Sequence, residues 1–574
     1  MSEATKLTMV KEYWKHADAG LSDEFAAMQT GFAFYAGNQW SVDDLAKLQR
    51  EGRPALTINL ILPIINLLSG IQRQGRQDVS VVARKGGLKP LAAVFTQVLR
   101  HCLDITEADY ELADMFTDGI IGGKGWLKMS VDYTDDPIYG DIQLKKVSPF
   151  SVREDPDAKE YDLNRSGKFV IADEWLDKEA LLLNFPDKRL DIEAGGLNID
   201  TASGDVVGEG DAARWRVREC WWKSYENRTV LIDTTTGKMK SVGADTGAAK
   251  AIAAHSNRWT VKEWVVSVLN KTVTAGDIVL EDISSPFGES VQFPYYRFCP
   301  MWLDGGAIGV IANMTGPQQE VNKRRSQALH NLNQAANSGF KVKKALNNYD
   351  KYIAKFGSTP GIVLDESRAG GSIERIEPAP ISEGHIRASS MSADDLREIS
   401  GANADLLGQV YNGRPESGKA IALRQSQGMK VIEIVFDNLS RTQKLMGKSL
   451  VDVIRFTDIY ADDEIAEIVA ENEEDVELSG LKDRRIGRYG IKVETASSSP
   501  TARYANFMSI LEVAQLYPGQ VPVEAVIEAS DITNKEAIID QLVPVGTEVS
   551  SQTSAVRQNG KLPTPEGFVN VLGD

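Results

Sequence analysis

The chain has 574 residues, 42% of them hydrophobic and 25% charged, with a formal net charge of −17. That is an ordinary soluble composition, and the length allows several domains or one large protomer with excursions. The acidic balance argues against a protein built to grip nucleic acid tightly, because grip comes from Lys and Arg displacing counterions from phosphates. It leaves room for an acidic surface that surrounds DNA without holding it.

The opening "MSEATKLTMVKEYWKHADAG" carries charge throughout and lacks the apolar core of a signal peptide. The most apolar stretch, "LTINLILPIINLLSGI" (56–71), is interrupted by Asn59, Pro63, Asn66 and Ser69. It reads as a buried helix and not as a bilayer span. Cys102, Cys220 and Cys299 lie far apart with no Cys or His at ligand spacing, which points to a reducing compartment without disulfides or structural zinc. The five His are equally scattered and give metal catalysis little support.

The first residues, to about 120, read as helical, since "LKPLAAVFTQVLRHCLDI" and "TEADYELADMFTDGIIGG" place apolar residues at three- and four-residue steps. From Trp126 to about residue 300 the period shifts towards two. "KGWLKMSVDYT", "GDIQLKKVSPF", "RWRVRECWWKSY", "RTVLIDTT" and "EWVVSVLNKTV" are strand-like. Trp215, Trp221, Trp222, Trp259 and Trp264 fall here and read as sheet core rather than as a base-stacking platform. The carboxylates Glu154, Asp155, Asp157, Glu160 and Asp162 invite comparison with a metal site. Their spacing lacks the turn glycine of a calcium loop, so surface-loop acids are the simpler reading.

"TGPQQEVNKRRSQALHNLNQAANSG" has a helix start at Thr315, Pro317 and Gln318 and a stop at Gly339. Val321, Ala328, Leu332 and Ala335 form a narrow apolar stripe along it. Strand-and-turn sequence follows, and a second helix returns over 383–406, suggesting an antiparallel pair with a small β-rich module at its tip. A third pattern then runs to about Phe456, with Ile432, Val435, Leu439, Met446, Leu450 and Ile454 at helical steps. A helix of about 40 residues is about 60 Å long, more than one ordinary core needs, and implies a large assembly. "ADDEIAEIVAENEEDVE" reads as a solvated loop or helix face. "YGIKVETASSSPTARYANFMSILEVAQLYP" reads as a strand, a helix start at Ser499–Pro500 and a helix, and a Gly-, Ser-, Thr- and Pro-rich flexible tail ends the chain.

Before the third helix, "NGRPESGKAIALRQSQG" (412–428) matches seven positions of a phosphate-binding P-loop from Gly413 to Lys419. The eighth is Ala420, where Mg²⁺ needs a hydroxyl. The sequence before the loop is helical in spacing, not a buried strand. The acidic partner offered by "GIVLDES" lies upstream, the reverse of the usual order.

Four segments carry a resemblance: "FYAGNQWSVDDLAKLQREGRPALTINLILPIINLLSGIQRQGR" (34–76), "VREDPDAKEYDLNRSGKFVIADEWL" (152–176), "DGGAIGVIANMTGPQQEVNKRRSQAL" (304–329) and "SGKAIALRQSQG" (417–428). With this order of parts, the chain resembles the portal protein of tailed bacteriophages, particularly the short-tailed podovirus type. The resemblance implies an α+β portal fold and a structural, non-enzymatic virion protein assembled in the host cytoplasm, with no cofactor. It implies a twelve-fold homo-oligomeric ring at one capsid vertex, passing double-stranded DNA during packaging and ejection. Implied partners are the large terminase subunit, tail adaptors, and capsid and scaffolding proteins, with no membrane.

By the same resemblance, 1–316 is an N-terminal wing region, 317–338 and 383–406 are stem helices, and 339–382 is the clip. Residues 407–418 are then the tunnel loop, 419–460 the long wing helix, 461–545 the C-terminal wing and crown, and 546–574 a flexible tail. The short tail departs from relatives with long C-terminal helical barrels. Gly408, Gly413 and Gly418 would permit a tight loop pointing into the channel, with Arg414 and Glu416 beside passing phosphates and Ser417 capping the next helix.

Helical spacing puts Arg387, Asp394, Glu398 and Asp405 within about 40° of one another, with Ile386, Ala393, Leu396 and Leu407 on the other side. Spacing alone reads as an ordinary solvated face; lining a ring, the four give a net acid charge that touches DNA weakly. Lys341, Lys343 and Lys344 have two readings, contact with an acidic partner or DNA, or complement to a helix C-terminus. Two other functions are weighed against the portal reading. A packaging NTPase lacks its hydroxyl at Ala420, and an internal ejection or scaffold protein would be more extended and helical than the β-rich 126–300 allows.

Overall fold

Helices dominate the N-terminal part because its apolar residues recur at helical steps and its ends are capped. The helices are Glu3–Gly20, Ser22–Tyr35, Val42–Arg50, Ile61–Gln74, Lys89–Ile105 and Ala108–Gly122. Ser2 Oγ accepts from Thr5 N–H and Ser41 Oγ from Asp44 N–H, satisfying amides at the first turns. The computed structural model describes residues 2–75, 77–84, 88–134, 140–193, 205–207, 213–233, 239–241, 254, 258–336, 339–342, 349–357, 359, 362–368, 372–376, 383–401, 418–457, 459–470, 488–495, 500–517, 522–528 and 530. It divides into Met1–Ala496 and Ser497–Asp574. In the second unit the helices Pro500–Leu516 and Val523–Glu528 pack together. Ser499 and residues 546–574 lie outside the described residues.

The apolar stretch at 56–71 becomes helix only from Ile61, and Ile61, Ile64, Ile65 and Leu68 bury one face of it. Among the described residues no helix is long and apolar enough to cross a membrane. One strand interrupts the region expected to be helical. Gln77–Arg84 pairs antiparallel with Arg488–Thr495, Val79 opposite Val493 and Val81 opposite Ile491. Val79 and Val81 are buried while Val82 is 40% exposed, a period of two that a helical reading overlooks.

The β-rich region forms two sheets. One runs in the order Ile278–Ser284, Trp259–Ala275, Arg214–Asp233, Phe169–Asp177, Val152–Glu154, all antiparallel. The two segments read as separate strands, "RWRVRECWWKSY" and "RTVLIDTT", are one 20-residue strand, Arg214–Asp233. Trp215, Trp221 and Trp222 are core residues; Trp221 stacks on Phe287 at 5.4 Å and Trp222 Nε1 donates to Thr272 Oγ1 at 3.1 Å. Trp259 is half-buried. The other sheet, Tyr295–Phe298, Gly125–Asp132 and Asp141–Val147, lies under the Ala108–Gly122 helix. That layer is tight: a Cβ on Gly119 would sit 2.4 Å from the Phe298 ring, and one on Gly31 2.5 Å from Ile121 O.

Three long helices follow, Thr315–Ala336, Glu383–Ser400 and the 39-residue Gly418–Phe456. The last is about 58 Å long at 1.5 Å per residue, and Ile432, Val435, Leu439, Met446, Leu450 and Ile454 are all buried. Between the first two helices, Phe340–Val342 pairs with Ile373–Arg375. A helix not expected from the strand-and-turn reading, Tyr349–Phe356, packs Tyr349 and Ile353 with Phe340, Leu364 and Ile373. The acidic run is also not wholly solvated: Asp462–Ala470 is a helix that buries Ile465 and Val469 one turn apart.

The Thr315–Ala336 helix is not held by the apolar stripe expected of it. Val321 is buried, but Leu332 is 47% exposed. Ala328 is half-buried, and the side chain of Ala335 lies outside the described residues. Most of its buried face is polar: Gln318, Asn322 and Ser326 meet the backbone of 56–60. Leu60 N–H donates to Gln318 Oε1 at 3.0 Å, Ile58 N–H to Asn322 Oδ1 at 2.9 Å, and Leu56 N–H to Ser326 Oγ at 2.9 Å. Gln318 Nε2 returns a bond to Ile58 O at 2.6 Å, and Asn322 Nδ2 donates to Gln39 Oε1 at 2.7 Å. Each four-residue step along the helix, about 6.0 Å, meets the amide two residues earlier in 56–60, so the contacts stay in step over three rungs. Asn322→Leu should remove the middle rung and destabilise this contact by about 2 kcal/mol, the cost of a stranded buried donor. Hydrogen exchange should then speed up about thirtyfold at the Ile58 amide.

Candidate functional site

The Glu383–Ser400 helix packs against Thr315–Ala336. Its buried face consists of Ser389, Ser392, Leu396 and Ser400, and such small side chains let two helix backbones approach closely. Arg387, Asp394 and Glu398 stand on the opposite, exposed face. Asp394 Oδ1 accepts from Arg397 Nη1 at 3.1 Å, so part of this face is locally neutralised. The apolar side differs from expectation. Leu396 is buried and Ala393 half-buried, whereas Ile386 is 50% exposed because it lies off the centre of the serine face. Asp405, Leu407, Arg414, Glu416 and Ser417 lie outside the described residues.

At the tip of the pair, Lys341 is exposed on Phe340–Val342 and stands opposite Glu374 across the two strands. Opposite charges at such a position support pairing. Lys343 and Lys344 lie outside the described residues. Tyr352 and Phe356, 44% and 40% exposed, are joined by ring contacts to Tyr349. The "GIVLDES" segment is not a strand. Asp365 Oδ1 accepts from Ser367 N–H at 2.9 Å and Asp365 N–H donates to Tyr349 Oη at 2.9 Å, so this acid organises a turn.

The carboxylate group resolves into separate structural tasks. Asp162 Oδ1 accepts from Asn164 N–H at the start of a short helix. Asp155 accepts from the amides of Asp157 and Lys168 at 3.1 and 3.0 Å. One ligand atom each from His16, Asp155 and Asp157 lie within 4.8 Å of one another, but both Asp155 oxygens already serve the backbone. Glu160 is exposed near Arg165. Glu154 is deeply buried. Its Oε2 is 2.6 Å from Arg297 Nη1 and its Oε1 2.7 Å from Lys124 Nζ, and Lys124 also pairs with Glu24.

Around that centre, Arg297 donates to the carbonyls of Glu160 and Tyr161 and stacks 4.1 Å from the Trp302 ring centre. Tyr161 Oη meets Thr442 Oγ1 at 2.7 Å, and Thr442 Oγ1 donates to Arg297 O at 3.0 Å. The ion cluster is therefore tied to the long helix. All three cysteines are free and buried. Burial pushes the Cys102 and Cys299 thiols up to about 12, which leaves them unreactive.

A family model described as phage P22-like portal protein matches residues 11–559. The chain belongs to that family. It is a structural portal protein of the podovirus type. No curated protein gives a significant match.

For a portal chain, sequence reasoning picked out the exposed face of the second helix and overlooked what holds the first. The polar set Gln318, Asn322 and Ser326 recurs every four residues in "PQQEVNKRRSQ", a signal that an apolar template does not seek. Arg297 left no local signal, since its acid partner Glu154 is 143 residues away.

Burial raises the Glu154 carboxyl pKa, but Arg297 and Lys124 outweigh it and hold the value below the usual 4.5. The stability it contributes is therefore complete above 4.5 and is lost as pH falls through the lower folded value. Glu154→Gln should cost about 3–5 kcal/mol at neutral pH by leaving two buried cations short of a partner. Urea unfolding measured from pH 7 downward should show that the gap to the parent narrows in acid.

Proposed function

We propose that copies of this chain close into a ring, twelve-fold as the family resemblance implies, at one capsid vertex, and that double-stranded DNA passes through its axis during packaging and ejection. On this reading 317–338 and 383–406 are stem helices, 407–418 is the tunnel loop, and 339–382 is the clip that meets the large terminase subunit and later the tail adaptors. Residues 1–316 and 419–460 form the wing, which faces capsid and scaffolding proteins, and 461–545 form the C-terminal wing and crown, with 546–574 a flexible tail. The observation that supports the reading best is the exposed face of Arg387, Asp394 and Glu398 on a helix backed by a close-packed partner.

Arg387 and Glu398, with Asp394 paired to Arg397, leave that face close to neutral, so that repeated around an axis it touches phosphate only weakly. That suits a conduit better than a binder. Asp405 would extend the acid row, and Arg414 and Glu416 would nearly cancel at the loop. Lys341, Lys343 and Lys344 would supply the basic side of the motor-facing module. ATP hydrolysis belongs on this reading to the terminase, since Ala420 stands where Mg²⁺ needs a hydroxyl.

Negative-stain imaging of the purified protein should show rings with an axial hole. Monomer alone at micromolar concentration across a range of salt would overturn the reading. The double variant Asp394→Lys, Glu398→Lys should still form rings but slow DNA passage, more at low salt than at high salt. Packaging and ejection rates equal to the parent's at low ionic strength would place this face away from DNA.

A further inference from the structure

Two concavities in Met1–Ala496 gather cations, and they differ in how those charges are matched. Beside the Val42–Arg50 and Thr315–Ala336 helices, Lys323 lies 3.8 Å from Asp44, Arg53 3.0 Å from Glu51, and Arg324 pairs with Glu320. The other is a cavity of about 620 Å³ where the 162–168 segment, the Arg214–Asp233 and Trp259–Ala275 strands and the Gly418–Phe456 helix converge. Arg165, Lys168, Lys223 and Lys448 line it, with Asp162 as the one lining carboxylate among the described residues. Asp162 lies 3.4 Å from Arg165 and neutralises it. Among the described residues no carboxylate lies within 4.0 Å of the Nζ of Lys168, Lys223 or Lys448. Three lysines with no carboxylate in direct ion-pair contact thus share one cavity, with Asp162 and Asp452 acting on Lys223 and Lys448 only through space, on a chain whose net charge is −17.

Lys223 is the informative one. Its Nζ donates to Asn164 O at 2.6 Å and sits 4.3 Å from the Phe293 ring centre, and neither partner is charged. Burial lowers its pKa to about 8, with Asp162 offsetting part of the effect. An ammonium taken partly out of water with no counter-ion in contact is destabilising, so an anion arriving beside it is favourable. The wall around it is already organised. Asn164 Oδ1 accepts from Phe293 N–H at 2.7 Å, and Lys223 N–H donates to Lys168 O at 3.0 Å. Val265, Val291 and Leu445 add an apolar flank, and Tyr225 at the edge is 71% exposed.

We propose that this cavity binds an oxyanion-bearing ligand of at least two negative charges with an apolar flank, Lys223 meeting the anion and the exposed Lys168 and Lys448 adding charge around it. Phosphate and carboxylate share this chemistry, and two probes separate them. Calorimetric titration of the full-length protein at constant ionic strength would use inorganic pyrophosphate and, in parallel, tricarballylate. Saturable binding at one site per chain is expected, weakened about tenfold or more by Lys223→Gln, because a charge-assisted bond is lost. Pyrophosphate binding alone marks a phosphate-bearing ligand, and tricarballylate binding alone a carboxylate-bearing one. Lys448→Gln, an exposed change that leaves the buried ammonium in place, should weaken the same binding to a smaller degree and guards against a folding defect in the first variant. No saturable heat with either probe, or heat unchanged in both variants, overturns the proposal.

Discussion

The long helix Thr315–Ala336 is anchored to the body by matched periods more than by apolar burial. Gln318, Asn322 and Ser326 reach the amides of Leu60, Ile58 and Leu56 in turn. Three backbone amides outside any helix or strand are thereby satisfied by side chains. A hydrophobic stripe tolerates sliding, because apolar contact is not directional. A ladder of hydrogen bonds does not, since a shift of one residue on either side would strand buried donors. The helix therefore has a defined register against the Ile61–Gln74 helix that follows those amides.

A second constraint works between layers. Arg297 comes from the three-stranded sheet, Glu154 from the edge of the larger sheet, Lys124 from the end of a helix–strand turn, and Glu24 from an N-terminal helix. Such a cluster is weak as a source of net stability, because taking charges out of water costs nearly what their attraction returns. Its consequence is specificity: any relative displacement of these elements leaves a charge unmet in the interior. Thr442 and Tyr161 then couple the long Gly418–Phe456 helix to the same point.

These two devices bear on what a portal chain must withstand. On the proposed reading, the second helix presents its charged face to DNA while its serine face rests on a helix held in register. The electrostatics of the face are then carried by a rigid support and depend little on local flexibility. The cavity at Lys223 lies on the other side of the same logic. There, among the described residues, the partly buried Lys223 has no carboxylate in ion-pair contact, unlike Arg297 and Lys124 around Glu154.

Much of the element pattern was legible in the sequence by itself. The six apolar positions of the 418–456 helix, the tryptophan-rich strands and the exposed Arg387, Asp394 and Glu398 follow from periodicity, because local spacing sets which residues share a face. What tertiary structure decided is what those faces meet. Gln77–Arg84 became a strand because Arg488–Thr495, far along the chain, offered an edge to pair with. "YDKYIAKF" became a helix because Phe340, Leu364 and Ile373 gave Tyr349 and Ile353 a surface to bury. Glu154 left a row of apparent surface acids for the interior because Arg297 and Lys124 were waiting there. Local spacing fixes direction relative to the element's own axis, whereas burial and charge pairing depend on partners that no local window contains.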